Sequence, residues 1–364
     1  MNVLDLARPE IRALQPYSSA RMEADGGQLM LNANESAWPP VGDTGQGCNR
    51  YPEPQPSALL DALALLYGVR REQLLVGRGS DEAIDLLVRA FCRAGQDAIL
   101  IQPPTFGMYA VCARVQGAAV IEAPLDKDFR LDVDALLAAV TPAVKLVFVC
   151  RPSNPTGQDV PRADIETLAR ALAGRALLVV DEAYVEFADQ PSVADLIDRY
   201  DNVAVLRTLS KAWALAGARI GSLLANADVI ALLRRIMPPY PLPLPCVDAA
   251  LIALSGWGQA NTRQRIGTVC KQREAMQSAL AALAGVKQVL PSQANFLTVR
   301  FHDAGDVLRR LLAEGIVVRD VRRYPGLSDA LRITIGTPEE NAQVIKVLKQ
   351  SAVAQPVAVA GQGT

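Results

Sequence analysis

The sequence predicts an α/β protein in which a large, doubly wound and mostly parallel sheet is followed by a smaller α+β domain. From about Val76 to Ala225, short apolar runs bounded by turn residues alternate with amphipathic stretches, as strands and helices do in such folds. A proline-rich segment, Pro238–Pro245, then ends the alternation. The chain has 364 residues, more than a typical single domain of about 100–200 residues.

The first part contains one helix start followed by five predicted strands. Apolar residues recur at helical spacing after Ser80, which predicts a helix there. Short apolar runs predict the strands, and helical stretches such as Arg162–Ala173 lie between several of them. The runs are Asp97–Ile101, Ala118–Glu122, Lys145–Cys150, Ala176–Val180 and Val203–Leu206. Because ligands bind outside the carboxyl ends of such strands, the residues after each run are candidates for a site.

The second part begins after Pro238–Pro245, which predicts an extended connector because proline lacks a backbone donor. Beyond it the pattern predicts helices over Asp248–Leu254, Thr262–Leu283 and Ala304–Glu314, and strands over Asn295–Phe301, Val317–Arg319 and Leu331–Ile335. We expect an N-terminal arm over residues 1–28, a large domain over 29–240, a small domain over 241–352 and a disordered tail over 353–364.

Composition excludes several classes of function. The formal net charge is −1, which favours neither nucleic acid nor an anionic membrane as a partner. The single histidine, His302, disfavours Ser-His-Asp and Cys-His catalysis and most zinc sites, so no metal is expected. The six cysteines form no C-x-x-C pair, and we find neither a secretory signal nor an apolar run of about 18–20 residues. We therefore expect a cytoplasmic protein whose catalyst is Lys, Asp, Tyr or a bound cofactor.

Polar side chains follow three of the predicted strands. Asn154 lies in the turn-rich loop after Lys145–Cys150, Asp181 and Tyr184 follow Ala176–Val180, and Lys211 follows Val203–Leu206. A lone lysine at a strand end is usually only a solvated cation. In a parallel sheet, however, these four side chains converge at one crevice.

This combination fits pyridoxal phosphate. Its aldehyde needs an amine, which Lys211 supplies. Its ring nitrogen needs a carboxylate such as Asp181, and its ring hydroxyl needs hydrogen-bond donors such as Asn154 and Tyr184. Its phosphate needs a helix start plus hydroxyls or a cation. Ser80 and Asp81 at the helix start, with Thr208, Ser210 and Arg219, meet that need. Alone, the Gly77-Arg78-Gly79 loop is more typical of a helix cap, because it lacks both the dinucleotide and the P-loop patterns.

The ordered series of motifs resembles the fold-type I pyridoxal-phosphate aminotransferases and, more narrowly, the histidinol-phosphate branch of that family. The resemblance extends from about Pro16 to Leu348. The motifs are Leu31–Glu35, Arg50–Pro54, Gly79–Glu82, Pro104–Tyr109, Asn154–Gly157, Asp181–Tyr184, Arg207–Lys211 and Leu331–Thr334. Arg50–Pro54 and the stretch from Thr208 to Gly217 are similar to the histidinol-phosphate branch in particular.

The resemblance implies a role for each matching residue. Lys211 matches the Schiff-base lysine and Asp181 the partner of the ring nitrogen, and with Tyr184 they form the expected catalytic set. Tyr51 matches a tyrosine that reaches the cofactor phosphate of the other subunit, which implies a homodimer with shared sites. The expected substrate-binding residues are Tyr17, Asn34, Arg319 and Arg332. Phe106 stands where relatives often have a ring-stacking tyrosine, so the stacking surface is kept and the hydroxyl is lost.

The implied activity is transfer of an amino group between L-histidinol phosphate and 2-oxoglutarate, giving imidazole acetol phosphate and glutamate in histidine biosynthesis. An aromatic amino acid aminotransferase and a phospho-amino-acid decarboxylase of the same fold are the alternatives. They differ in whether the arginines bind a phosphate or a carboxylate, and the sequence leaves this open. A non-catalytic pyridoxal-binding module is disfavoured, because Lys211 is present and there is no basic DNA-binding extension.

Overall fold

The computed structural model describes residues 3–17, 29, 31–45 and 47–349, and the structural statements below concern these residues. Its helices are α1 (Pro9–Ala13), α2 (Ser57–Tyr67), α3 (Ser80–Phe91), α4 (Met108–Gln116), α5 (Val133–Ala138), α6 (Arg162–Leu172), α7 (Ala227–Arg234), α8 (Leu244–Leu254), α9 (Gly256–Ala281), α10 (Ala304–Ala313) and α11 (Pro338–Lys349). Its strands are β1 (Leu74–Arg78), β2 (Ala98–Ile101), β3 (Ala119–Glu122), β4 (Val144–Cys150), β5 (Leu177–Asp181), β6 (Val203–Thr208), β7 (Ile220–Ala225), β8 (Val286–Val289), β9 (Phe296–Phe301), β10 (Arg319–Asp320) and β11 (Ala330–Thr334).

The large sheet has seven strands in the order β1-β7-β6-β5-β4-β2-β3. The five predicted strands pair in parallel, whereas β7 runs antiparallel to both of its neighbours. The predicted α/β class with a mostly parallel sheet is therefore confirmed. The sequence analysis did not predict β1 and β7, which complete one side of the sheet.

Helices cover both faces of this sheet because its central strands are apolar at most positions on both faces. Alternate side chains point to opposite faces. Val147 and Val149 of β4 pack in a core with α2, α6 and α8, whereas Leu146 and Phe148 pack in a second core with α3, α4 and α7. Burial on both faces is the reason these strands appear in the sequence as continuous apolar runs.

The second sheet is antiparallel, in the order β10-β11-β9-β8. Leu297 and Val299 of β9 and Leu331 and Ile333 of β11 form a core with side chains from α9, α10 and α11. The smaller α+β unit is thus present. The strand predicted over Val317–Arg319 lies further along the chain than expected, because only Arg319–Asp320 pairs in the sheet.

The segment Pro238–Pro245 is extended only in part, because α8 begins at Leu244 with a proline in its first turn, where the missing donor costs no helical bond. Side chains of α8 pack into the core of the large sheet. The division at residue 240 remains a prediction, and these contacts favour counting α8 with the large domain. Residues 18–28 of the predicted arm and the predicted tail over 353–364 lie outside the described residues.

Over the described ranges, no helix has the length and apolar character needed to cross a membrane.

Candidate active site

Three neighbouring parallel strands end at one crevice. Cys150 at the end of β4 lies opposite Asp181 at the end of β5, which in turn lies opposite Leu206 of β6. The crevice, including the solvent space at its open mouth, encloses about 480 Å³. It is lined by Gly79, Ser80, Asp81, Phe106, Cys150, Asn154, Asp181, Tyr184, Thr208, Ser210, Lys211 and Arg219. All of the predicted cofactor-binding residues except Tyr51 therefore lie together.

One end of the crevice is built to receive an anion. Helix α3 begins there at Ser80, so its first backbone amides face the crevice end where the chain turns into the helix. The preceding residue, Gly79, has φ of +82°, a left-handed conformation that favours glycine. A side chain at Gly221 of β7 would lie 2.2 Å from the backbone of Gly79, so the close approach of strand and loop requires glycine there as well.

Hydroxyls and a cation complete this end. The Thr208 hydroxyl accepts a hydrogen bond from the Ser210 backbone amide at 3.1 Å, which holds the loop before Lys211. The Arg219 guanidinium lies over Gly79 and pairs with Asp81 at 3.3 Å, and both side chains are nearly half exposed. An exposed pair of this kind is worth at most about 1 kcal/mol, so Arg219 can exchange Asp81 for a bound anion at small cost.

The Asp181 carboxylate lines another part of the crevice. Its side chain is only 3% exposed, one carboxylate oxygen accepts a hydrogen bond from the Tyr109 hydroxyl at 2.6 Å, and the other accepts one from the Ala183 backbone amide at 3.1 Å. Burial raises the pKa of Asp181 to about 6, and these hydrogen bonds oppose the rise. The carboxylate is therefore ionised at neutral pH.

Tyr109 is not among the site residues predicted from the sequence. It lies on α4, stacks on Phe148 with 4.6 Å between ring centroids, and contacts Phe106 edge to face at 5.6 Å. Its helical spacing from apolar neighbours is typical of a core residue, and only its place in the motif Pro104–Tyr109 singled it out. Phe106 lines the crevice as expected and offers a ring without a hydroxyl.

Asn154 and Tyr184 are joined by a hydrogen bond of 3.2 Å from the Asn154 side-chain amide to the Tyr184 hydroxyl. The guanidinium of Arg332, from β11 of the small sheet, donates to the Asn154 side-chain oxygen and packs over the ring of Phe296 at 5.0 Å. The Arg332 Nε is buried and has no hydrogen-bond partner among the described residues. The small domain thus places the predicted Arg332 beside the crevice, and its Nε is a hydrogen-bond donor that has no partner among the described residues.

The Lys211 amine lies 5.6 Å from the centre of the Tyr184 ring. In the described part of the chain it forms no hydrogen bond or ion pair, although the residue is partly open to solvent. Lost hydration at the crevice lowers the pKa of Lys211, and the charge of Arg332 lowers it further. A lowered pKa favours the neutral amine, which is the form that acts as a nucleophile or base.

Besides Arg332, which reaches the crevice through Asn154, four predicted residues do not line it. Tyr51 is 46% exposed and stacks on Tyr240 at 4.5 Å. Tyr17 is 71% exposed and borders a different cavity of about 1390 Å³, which is larger but lacks this set of convergent donors. Asn34 is exposed with φ of +53°. Arg319 is exposed and lies opposite Arg332 on the neighbouring strand.

The residues present fit pyridoxal phosphate. The crevice has an anion-binding end, a buried carboxylate at the opposite end, an aromatic wall, two hydrogen-bonding side chains and a free amine. This set matches the separate needs of a phosphate, a ring nitrogen, a ring face, a ring hydroxyl and an aldehyde. Over the ranges that the structure describes, no cluster of side chains suited to a metal ion occurs.

Fold and site together define a class of protein, and comparisons with known proteins agree. The family model for aminotransferases of class I and II matches residues 29–348, and the chain belongs to that family. Within it, the chain is 56% identical to the histidinol-phosphate aminotransferase of Xanthomonas euvesicatoria pv. vesicatoria, over 96% of this chain and 98% of the relative. It is 55% identical to the histidinol-phosphate aminotransferase of Stenotrophomonas maltophilia, over 95% of this chain and 96% of the relative.

A solved structure supports the same assignment. The histidinol-phosphate aminotransferase of Sinorhizobium meliloti, solved in complex with pyridoxal-5′-phosphate, has a TM-score of 0.76 and 28% identity, with 84% of each chain covered. The predicted resemblance to this family, the fold-type I architecture and the prediction of an aminotransferase are therefore confirmed. The alternative activities weighed from the sequence are not favoured.

Proposed function

We propose that the protein transfers an amino group between L-histidinol phosphate and 2-oxoglutarate, giving imidazole acetol phosphate and glutamate, with pyridoxal phosphate as cofactor. The proposal rests on one observation above all. Lys211, Asp181, Asn154 and Tyr184 share a crevice whose far end is suited to an anion. The identity to histidinol-phosphate aminotransferases supports the substrate and a place in histidine biosynthesis. We also propose that the protein acts in the cytoplasm.

Pyridoxal phosphate, when bound, supplies an aldehyde that accepts an amino group and a ring that accepts electrons. Its phosphate would be held by the backbone amides of Ser80 and Asp81, the hydroxyls of Thr208 and Ser210 and the guanidinium of Arg219. Asp181 would hold a proton on the ring nitrogen, Asn154 and Tyr184 would bind the ring hydroxyl, and Phe106 would cover the ring face. These roles follow from the chemistry of each side chain and its place in the crevice.

Lys211 has a second task beyond holding the cofactor. Its Nζ, once free, takes a proton from the substrate carbon that carries the amino group and returns one in the second half of the reaction. A neutral amine is required for the first transfer. The lowered pKa of Lys211, caused by lost hydration and by the charge of Arg332, favours that neutral form.

Arg332 and Arg319 would bind the substrate phosphate. They lie directly opposite each other on β11 and β10, so two guanidiniums lie on one edge of the small sheet. The charge of Arg319 lowers the pKa of Arg332, although burial contributes more. A dianion placed between them would relieve that repulsion and gain charge-assisted hydrogen bonds of about 1.5–3 kcal/mol each.

Replacing Arg332 with alanine is expected to raise the Michaelis constant for histidinol phosphate at least tenfold, because a charge-assisted contact of that size is lost. Steady-state kinetics with 2-oxoglutarate as acceptor measures this. Arg300→Ala is the matched control, because Arg300 lies on the adjacent strand β9 and pairs with Asp329 at 2.9 Å. Unphosphorylated histidinol should be a very poor donor for the unaltered enzyme.

A donor panel separates this proposal from the aromatic aminotransferase that the sequence left open. Histidinol phosphate should be used with far higher catalytic efficiency than histidinol, phenylalanine or tyrosine. Equal efficiency with histidinol and histidinol phosphate would reject a phosphate-binding role for the arginines and favour the aromatic alternative.

We further propose a homodimer with shared active sites, in which Tyr51 of one protomer reaches the cofactor phosphate of its partner. The position of Tyr51, exposed and outside its own crevice, supports this. Mixing Tyr51→Phe and Lys211→Ala proteins after denaturation and refolding should form hybrid dimers with one doubly altered site and one intact site. The mixture should then exceed the mean activity of its two parents. A fully active monomer at nanomolar concentration, measured by sedimentation, would overturn the proposal.

A further inference from the structure

Tyr109 is a buried phenol for which the reaction above has no role. It is the second residue of α4, its side chain is 0% exposed, and its hydroxyl donates to an Asp181 carboxylate oxygen at 2.6 Å. Phe148 stacks on one face of its ring at an interplanar angle of 13°, and the Phe106 ring meets it at 83°. The aromatic packing therefore fixes the position of the hydroxyl.

We propose that Tyr109 is a positioning residue that orients the Asp181 carboxylate at the end of the crevice and helps to keep it ionised. The inference rests on the proposed role of Asp181 as the partner of the cofactor ring nitrogen. It adds a residue that contacts neither cofactor nor substrate in that proposal and acts only through Asp181.

The geometry carries the first half of this proposal. Tyr109 donates to one carboxylate oxygen of Asp181, and the Ala183 backbone amide donates to the other. Two donors from different directions restrain rotation of the carboxylate about its last side-chain bond. Removing the Tyr109 hydroxyl would leave one donor, on the strand end that carries Asp181 itself, and the orientation would be less fixed.

The charges around Asp181 support the second part of the proposal, that Tyr109 helps to keep the carboxylate ionised. Five titratable groups face it from the surrounding elements: Tyr109 from α4, Cys150 from β4, Asp81 from α3, Tyr184 from the loop after β5 and Lys211 from the loop after β6. Burial raises the pKa of Asp181 most, and Asp81 raises it further, whereas the Tyr109 hydrogen bond and Lys211 lower it. Burial and the charge of Asp181 raise the pKa of Tyr109 well above its usual value, so the hydroxyl remains a donor.

Loss of the Tyr109 hydroxyl should raise the pKa of Asp181. A hydrogen bond to the carboxylate favours its charged form, so its removal raises the pKa of Asp181 above the present value of about 6. Asp181 then loses its charge at a higher pH. In Tyr109→Phe, cofactor binding should therefore weaken mainly on the acid side, and near pH 8 it should change little.

The test measures binding of pyridoxal phosphate to the apoenzyme between pH 5 and 8, by quenching of protein fluorescence. For Tyr109→Phe the acid midpoint should move up by about one pH unit, with about fivefold weaker binding near pH 6 and about tenfold weaker binding near pH 5. Tyr67→Phe is the matched control, because Tyr67 is also a buried tyrosine but contacts Arg207 rather than Asp181. The control should retain the unaltered pH profile.

A double-mutant cycle with Asp181→Asn distinguishes a positioning role from a structural one. If Tyr109 acts through Asp181, Tyr109→Phe should change binding by less than twofold in the Asp181→Asn protein. A full tenfold effect in that background, or an unshifted acid midpoint in the single variant, would overturn the inference. If Asp181→Asn itself left binding and its pH profile unchanged, the proposed role of Asp181 would fail instead.

Discussion

Replacing Lys211 with alanine is expected to reduce turnover at least a thousandfold while leaving the fold intact. The variant lacks the amine that holds the cofactor, and it also lacks the base that moves the proton, a contribution of about 10²–10⁴-fold by itself. The Lys211 side chain makes no hydrogen bond or ion pair within the described ranges, so its removal leaves no buried partner unsatisfied. Thermal unfolding should therefore shift little.

Two measurements check this result. Steady-state assays give the loss of turnover, and reduction with borohydride followed by mass analysis shows whether cofactor remains covalently attached. Lys287→Ala is the matched control, since Lys287 pairs with Asp329 on the small domain at 3.1 Å. Activity of the Lys211 variant above a thousandth of the unaltered enzyme would remove Lys211 from its assigned role.

The convergence of the site could be predicted from the sequence because it depends on strand direction alone. Residues that follow parallel strands must meet at one edge of the sheet. Asn154, Asp181 and Lys211 were predicted in this way, and they line one crevice. Ser80 and Thr208 followed from the helix start and the strand end, which local spacing also determines.

Contacts across long stretches of chain could not be predicted in the same way. The hydrogen bond from Tyr109 to Asp181 joins residues 72 positions apart, and the one from Arg332 to Asn154 spans 178 positions. The pairing of β7 in the antiparallel direction depends on the turn before it, which no apolar pattern encodes. The proposed place of Tyr51 in a partner's site depends on a second protomer.

The adjacent acids Asp181 and Glu182 illustrate the same limit. Successive side chains at a strand end point to opposite faces, so the two carboxylates have different surroundings. Glu182 is fully buried, pairs with Arg151 at 2.9 Å and accepts a hydrogen bond from the Val193 backbone amide at 2.8 Å. Asp181 faces the crevice. Spacing alone does not show which acid of the pair is structural and which one faces the site.

Replacing Asp181 with asparagine is expected to slow proton transfer on the order of a thousandfold. An amide is nearly the same size as a carboxylate but carries no charge, so it cannot hold a proton on the ring nitrogen. The cofactor should still bind, although more weakly, because the phosphate end of the crevice is unchanged. Single-turnover absorbance measurements with histidinol phosphate separate this loss of rate from a loss of binding.

Asp97→Asn is the control that isolates the electrostatic role. Asp97 is as buried as Asp181, at 3% exposure, but it precedes β2, near the opposite edge of the sheet, and pairs with Arg93 at 2.8 Å. That variant should lose stability and keep its single-turnover rate, since only its ion pairs with Arg93 and Lys145 are broken. If both aspartate variants reacted at near-normal single-turnover rates, Asp181 would be a buried structural acid. A large loss of rate confined to Asp181→Asn is the result that its position in the same crevice as Lys211 requires.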